Sequence, residues 1–144
     1  MLTGEYHHTL DEKRRLSLPA KLRPPLGKTV VLTAGLEHTL WVLAKREWQQ
    51  VAQTLVGLPM GSEASRRFAR FLFASATEVD VDRNGRMLIP EHLARYAELK
   101  DRVVMAGVGK RLEIWDENRW NNYIKETAAQ ADNLASHLGE LGLL

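Results

Sequence analysis

One nine-residue pattern occurs twice, and it limits the folds open to this chain more than any other feature. The first copy is Asp11-Glu12-Lys13-Arg14-Arg15-Leu16-Ser17-Leu18-Pro19. The second is Asp82-Arg83-Asn84-Gly85-Arg86-Met87-Leu88-Ile89-Pro90. Asp11 aligns with Asp82, Arg15 with Arg86, and Pro19 with Pro90. Each copy places an aspartate four residues ahead of an arginine, follows it with an apolar alternation, and ends on a proline suited to the first position of a helix.

The likeness continues downstream. Val30-Val31-Leu32 answers Val103-Val104-Met105, Leu40-Trp41-Val42-Leu43 answers Leu112-Glu113-Ile114-Trp115, and Trp48 answers Trp120. Ordered matches of this kind mark an internal duplication. Residues 5–50 and 77–120 are read as two homologous halves, with a helical connector over 51–76 and a C-terminal helix and tail over 121–144.

Both halves predict the same series of elements. A lead-in strand (Tyr6–Leu10, Glu78–Val81) reaches a tight turn, with Glu78-Val79-Asp80-Val81 alternating at a period of two. Asn84-Gly85 predicts a two-residue hairpin turn, since both residues tolerate positive φ. Arg14 stands where the second copy has Gly85, so the first turn either differs or holds a strained left-handed arginine. A returning strand follows, then a helix: short over Ala20–Arg23, where Pro24-Pro25 is expected to stop it, and longer over Glu91–Leu99. Strand pairs over Thr29–Thr33 and Leu40–Leu43, and over Arg102–Ala106 and Arg111–Trp115, precede the last helices. Lys45–Val56 and a Ser62-capped segment carrying Phe68, Phe71 and Leu72 read as amphipathic helices. The C-terminal helix is expected from Asp116 to about His137. Halves of about 45 residues bury too little surface to stand alone, so they are expected to share one pseudo-symmetric core in an α+β fold.

Composition narrows the function classes. Without cysteine there is no disulfide or thiolate metal site, and no stretch is apolar enough for a membrane span. The N-terminus lacks a signal-peptide pattern, which fits a cytoplasmic protein. Net charge is only +2, but its distribution is uneven. Lys13, Arg14, Arg15, Lys21 and Arg23 crowd the front, while Glu113, Asp116, Glu117, Glu126, Asp132 and Glu140 gather in the tail.

Arginines beside two tight turns are the main functional signal. A two-stranded ribbon fits the DNA major groove, where Arg15 and Arg86 can read guanine edges. Lys13, Arg14 and Arg83, with Lys21 and Arg23 behind them, can meet phosphates, which positions a protein without specifying sequence. Asp11 and Asp82 can accept turn N–H groups or hold the arginine in one rotamer, with Asn84 and Gly85 supporting the second turn. Ordinary solvated hairpin tips account for the same residues. Catalysis has no comparable support. Glu78, Asp80 and Asp82 share a strand face but have no acidic counterparts at His7 and Thr9, and adjacent His7 and His8 point to opposite faces. No enzyme activity, metal or cofactor is expected.

The doubled Asp-x-x-x-Arg motif, the proline after each copy, the apolar strand pairs and the length resemble the MraZ family of bacterial transcriptional regulators. The resemblance covers nearly the whole chain. It implies two tandem SpoVT/AbrB-like swapped-hairpin units closing into one pseudo-two-fold β-barrel with flanking helices. It implies sequence-specific, repressive binding to short direct repeats of double-stranded DNA, upstream of a division and cell-wall gene cluster that includes the regulator's own gene. It also implies a ring-shaped homo-oligomer associated with the nucleoid. Carried onto this chain, the family's DNA-binding turns are Asp11 and Arg15 and Asp82 and Arg86, with Lys13 and Arg83 beside them; Arg14 departs from the usual glycine. Protomer contacts are expected at the Phe68–Phe73 helix or the C-terminal helix. The rival readings are an AbrB-type antitoxin, which predicts a single motif and a disordered tail, and an oligomeric scaffold that uses basic turns on an acidic protein.

Overall fold

The computed structural model describes residues 1–144. Its elements, in chain order, are β1 (Glu5–Thr9), β2 (Arg15–Ser17), α1 (Arg23–Leu26), β3 (Thr29–Ala34), β4 (Leu40–Ala44), α2 (Lys45–Val56), α3 (Glu63–Ser75), β5 (Thr77–Asp80), β6 (Arg86–Leu88), α4 (Glu91–Tyr96), β7 (Arg102–Val108), β8 (Arg111–Asp116), α5 (Glu117–Ala129) and α6 (Ala131–Glu140). Short 3-10 turns precede α1 and β4. The class is α+β.

All strand pairings are antiparallel, in a six-stranded sheet of order β1-β7-β8-β4-β3-β5 and a two-stranded ribbon of β2 and β6. The halves are interleaved. The lead-in strand of each pairs with the other half: β1 with β7, and β5 with β3. The registers obey a pseudo-two-fold axis. In the ribbon Leu16 faces its own counterpart Met87, and Arg15 and Ser17 face Leu88 and Arg86. At the centre of the sheet Trp41 faces its counterpart Glu113, flanked by Leu40 with Ile114 and Val42 with Leu112.

Period-two alternation then decides what is buried. Val30, Leu32, Leu40, Val42, Val103, Met105, Leu112 and Ile114 line one face of the sheet. Leu16, Leu18, Met87 and Ile89 close over them from the ribbon, with Leu22, Leu26 and Leu93 from the helices. This core draws on both halves. Truncating a fully buried member such as Leu16 to alanine is expected to cost about 2–5 kcal/mol. The opposite face carries Val104, Ala106 and Trp115 under Trp120 of α5, and Thr33 under α3, where its hydroxyl donates to the Leu72 carbonyl at 2.9 Å.

Several local expectations are corrected. Pro24 and Pro25 do not stop a helix; they lie at the first positions of α1, where a missing N–H costs no hydrogen bond. Pro19 and Pro90 are caps with extended ψ of 141° and 143°, and their helices begin one residue later. α4 ends at Tyr96 because Glu98 turns left-handed, with φ of 53°. The C-terminal helix breaks at Gln130, whose φ of −109° divides α5 from α6. Gly35 is required by close approach: a Cβ there would lie 2.4 Å from the Trp41 indole, and the Tyr96 hydroxyl donates to the Gly35 carbonyl at 2.6 Å.

Candidate nucleic-acid interface

The two turns are built alike, atom for atom. Asp11 Oδ1 accepts from the backbone N–H groups of Lys13 and Arg15 at 2.9 and 2.8 Å, and Oδ2 from Arg15 Nε at 2.7 Å. Asp82 accepts from the N–H groups of Asn84 and Arg86 at 2.8 and 2.9 Å, and from Arg86 Nε at 3.1 Å. The backbone closes identically, with Arg14 N–H donating to the Asp11 carbonyl and Gly85 N–H to that of Asp82, both at 2.9 Å. Each aspartate thus organises its turn and fixes the arginine beside it. The hydrogen bonds from the Arg15 and Arg86 backbones, the largest influence on each carboxyl, hold Asp11 and Asp82 below the ordinary carboxylate range.

The turn is not the two-residue form expected from Asn84-Gly85. It is a three-residue loop in which a single residue, Gly85 at φ 77°, is left-handed. Arg14 adopts the same conformation at φ 59°. The strained alternative therefore holds: the first turn keeps its shape and carries a left-handed arginine, a conformation that costs about 1–2 kcal/mol.

Arg14 gains a compensating bond. Its Nε donates to the Ile89 carbonyl at 3.1 Å. At the symmetry-related place, the Leu18 carbonyl accepts from Arg23 Nε at 2.9 Å. A Cβ on Gly85 would fall 2.0 Å from Arg23 Cζ, so the glycine makes room for that guanidinium. Each turn is thus braced by one guanidinium on the carbonyl ahead of a proline. One comes from the turn itself; the other comes from α1.

Because Leu16 and Met87 point into the core, the residues beside them point out. Arg15, Ser17, Arg86 and Leu88 share the outer face of the ribbon. The Arg15 and Arg86 side chains are each about a third exposed, at 36% and 32%. Lys13, Arg83 and Asn84 are exposed at the tips, and Lys21 is exposed nearby. Arg14 and Arg23 are half-buried as braces. Lys28 was not singled out from the sequence; with Arg23, Arg83 and Asp82 it lines an open depression of about 320 Å³ beside the second turn. No local signal distinguishes Lys28, since its position depends on how α1 ends. The fold therefore brings Asp11, Arg15, Asp82 and Arg86 together on one surface. His7 and His8 lie away from it on β1, and no group of three or more His, Cys, Asp or Glu side chains is placed to hold a metal ion.

The MraZ family, described as "MraZ protein, putative antitoxin-like", matches this chain twice, over residues 1–71 and 72–138. The chain belongs to the MraZ family. A MraZ relative from Moorella thermoacetica is 44% identical over 138 residues, 96% of each chain. One from Oenococcus oeni is 43% identical over 143 residues, 99% of this chain and 100% of its own. One from Halothermothrix orenii is 40% identical over 143 residues, with the same coverage. All three are named "Transcriptional regulator MraZ". No helix is long and apolar enough to cross a membrane.

Proposed function

We propose that this chain is a sequence-specific DNA-binding transcriptional regulator. The observation that carries the reading is the pair of identical Asp–Arg turns facing outward on one ribbon. Arg15 and Arg86 are the readers of base edges. Their Nε groups are occupied by Asp11 and Asp82, which leaves the terminal nitrogens of two pre-oriented guanidiniums to face guanine O6 and N7. Lys13, Arg83, Lys21 and Lys28 meet phosphates. The relatives' names support a role in transcription. The family resemblance supplies the finer parts: repression of a division and cell-wall gene cluster from its own promoter, short direct repeats as the site, action at the nucleoid, and a ring-shaped homo-oligomer built on two AbrB-like swapped-hairpin units. One protomer offers few base contacts, and several protomers on spaced repeats bind through effective concentration. An antitoxin with one motif fits less well, because both motifs are complete here.

The test is a titration of the purified chain against its own upstream DNA and a scrambled duplex at two salt concentrations. Arg15→Ala and Arg86→Ala are each expected to lose most of the preference for the upstream DNA, at about 1–3 kcal/mol per lost guanine contact. Lys13→Ala and Arg83→Ala are expected to weaken both duplexes alike and to flatten the salt dependence. Equal binding to both duplexes, unaffected by either arginine change, would leave the turns as surface charge and favour the scaffold reading.

A further inference from the structure

The outer face of the ribbon is a square of four residues. The register sets Leu88 opposite Arg15 and Arg86 opposite Ser17, while Arg15 and Ser17, and Arg86 and Leu88, are next-but-one neighbours along their strands. Three corners are polar. The fourth is a leucine, 48% exposed, on a strand whose middle residue, Met87, is buried. A lone apolar side chain on a surface ordinarily needs no explanation. This one stands beside two guanidiniums that their aspartates hold in place.

The pseudo-two-fold relation isolates it further. Arg15 is equivalent to Arg86 and Leu16 to Met87, but Leu88 is equivalent to Ser17. The fold needs no leucine there, since the related place carries a serine in the same ribbon pairing. Phosphate binding needs none either, because a leucine supplies neither charge nor donor. What it matches is a methyl group. The major-groove edges of the base pairs present donors, acceptors and one apolar group, the C5 methyl of thymine. Directly opposite residues of an antiparallel pair hold their Cβ atoms about 4.5–5.5 Å apart, and successive bases of a strand rise about 3.4 Å. A leucine opposite Arg15 therefore faces a base within a step or two of the one that Arg15 reads. The Ser17 hydroxyl can donate or accept, so it discriminates little between bases.

We propose that Leu88 is a specificity-determining residue, packing on the C5 methyl of a thymine beside a guanine read by Arg15 or Arg86. The inference rests on the DNA reading proposed above and adds a base to it. Because Ser17 stands at the related place, the ribbon reads this thymine on one side of its axis only. The sequence recognised by a single chain is then lopsided, although the turns that frame it are alike.

Titration of the full-length chain against its own upstream DNA, made with thymine or with deoxyuridine throughout, tests this, because deoxyuridine pairs alike and lacks only the methyl group. Wild type is expected to bind the deoxyuridine duplex about fourfold more weakly for each thymine so read, the value of one methyl group taken out of water. Replacing thymines one at a time is expected to trace the loss to a position next to a guanine. Leu88→Ala is expected to weaken binding to the thymine duplex by a similar factor and to bind both duplexes alike; circular dichroism checks that it remains folded. Leu88→Met keeps an apolar tip and is expected to keep the wild-type ratio. A wild type that prefers its upstream DNA over a scrambled duplex yet binds the thymine and deoxyuridine forms equally overturns the inference and leaves the DNA reading standing. Leu88→Ala with the wild-type ratio overturns it too, since another residue would then meet the methyl. A wild type with no preference for its upstream DNA removes the DNA reading and this inference together.

Discussion

Arg14 and Arg23 do the same work from different places. Arg14 corresponds to Gly85, and Arg23, counted from the aligned prolines, to Ala94. One site is built as left-handed arginine plus alanine, the other as left-handed glycine plus arginine. Arg14→Gly relieves strain of about 1–2 kcal/mol. It also loses a charge-assisted hydrogen bond of about 1.5–3 kcal/mol and loosens the unfolded chain further. The losses exceed the gain, so the single change is expected to lower the melting temperature by a few degrees. Adding Ala94→Arg recreates the second site's arrangement and is expected to recover most of that loss. Thermal melts of the single and double variants check this; a double variant less stable than Arg14→Gly would show that the two braces are not equivalent. The aspartates and arginines of the turns were legible in the sequence because their contacts are local, four residues apart or fewer. The Arg14 brace was not, because it reaches a carbonyl in the other half of the chain.

Elements far apart in sequence meet where His7 of β1 reaches Glu117, the first residue of α5. His7 contacts Glu5 at 2.7 Å and Glu117 at 3.0 Å, and Arg102 stands 3.9 Å from the same Glu117. The hydrogen bond that His7 donates to Glu117 first, and that to Glu5 next, raise the His7 pKa above its ordinary 6.5. Glu5 is lowered, chiefly by His7; the Trp120 indole acts in the same direction, although its N–H does not reach hydrogen-bond geometry. A raised folded pKa means the protonated imidazolium favours the folded state. Its contribution is complete below 6.5 and is lost as pH rises through the folded value. Amide exchange in β1 and the first turn of α5 is therefore expected to accelerate above that window, beyond the intrinsic effect of pH, and His7→Gln is expected to abolish the excess. An unchanged profile in that variant would remove His7 as the cause. Of the elements themselves, the strands, the Ser62 cap and the start of the last helix were legible from period and capping. The fate of Pro24 and Pro25 and the break at Gln130 were not: prolines at a helix start and prolines that end one look alike in sequence, and Gln130 carries no breaker signal. Which strands pair across the halves was also hidden, since a strand's alternation shows which face it buries and not which strand lies beside it.

The duplication predicts a shared core, and the registers show how far neither half suffices. Cut between 76 and 77, each piece keeps a single hairpin, β3–β4 or β7–β8, while the pairings of β1 with β7, β2 with β6, β3 with β5 and β4 with β8 all cross the cut. A lone hairpin is marginal in water. Pseudo-symmetry leaves each piece one escape, pairing with a copy of itself, and the side chains on the axis oppose it. Two first halves would aim two guanidiniums, those of Arg14 and Arg23, at each Leu18 carbonyl, like charges competing for one acceptor. Two second halves would leave both prolines' preceding carbonyls without a guanidinium. They would also set Glu113 against Glu113 in place of Trp41, on which Arg111 now stacks at 4.7 Å; like charges directly opposite are destabilising. Fragments 1–76 and 77–144 are therefore expected to show little native structure separately and to recover the native circular dichroism spectrum when mixed, with a titration end point at one to one. A cooperative thermal transition in either fragment alone would mean that the differences between the copies do not enforce unlike pairing. The two turns would then be interchangeable. If the mixture alone folds, Arg14 and Gly85 are the divergence that commits one chain to holding both readers, Arg15 and Arg86, on a single ribbon.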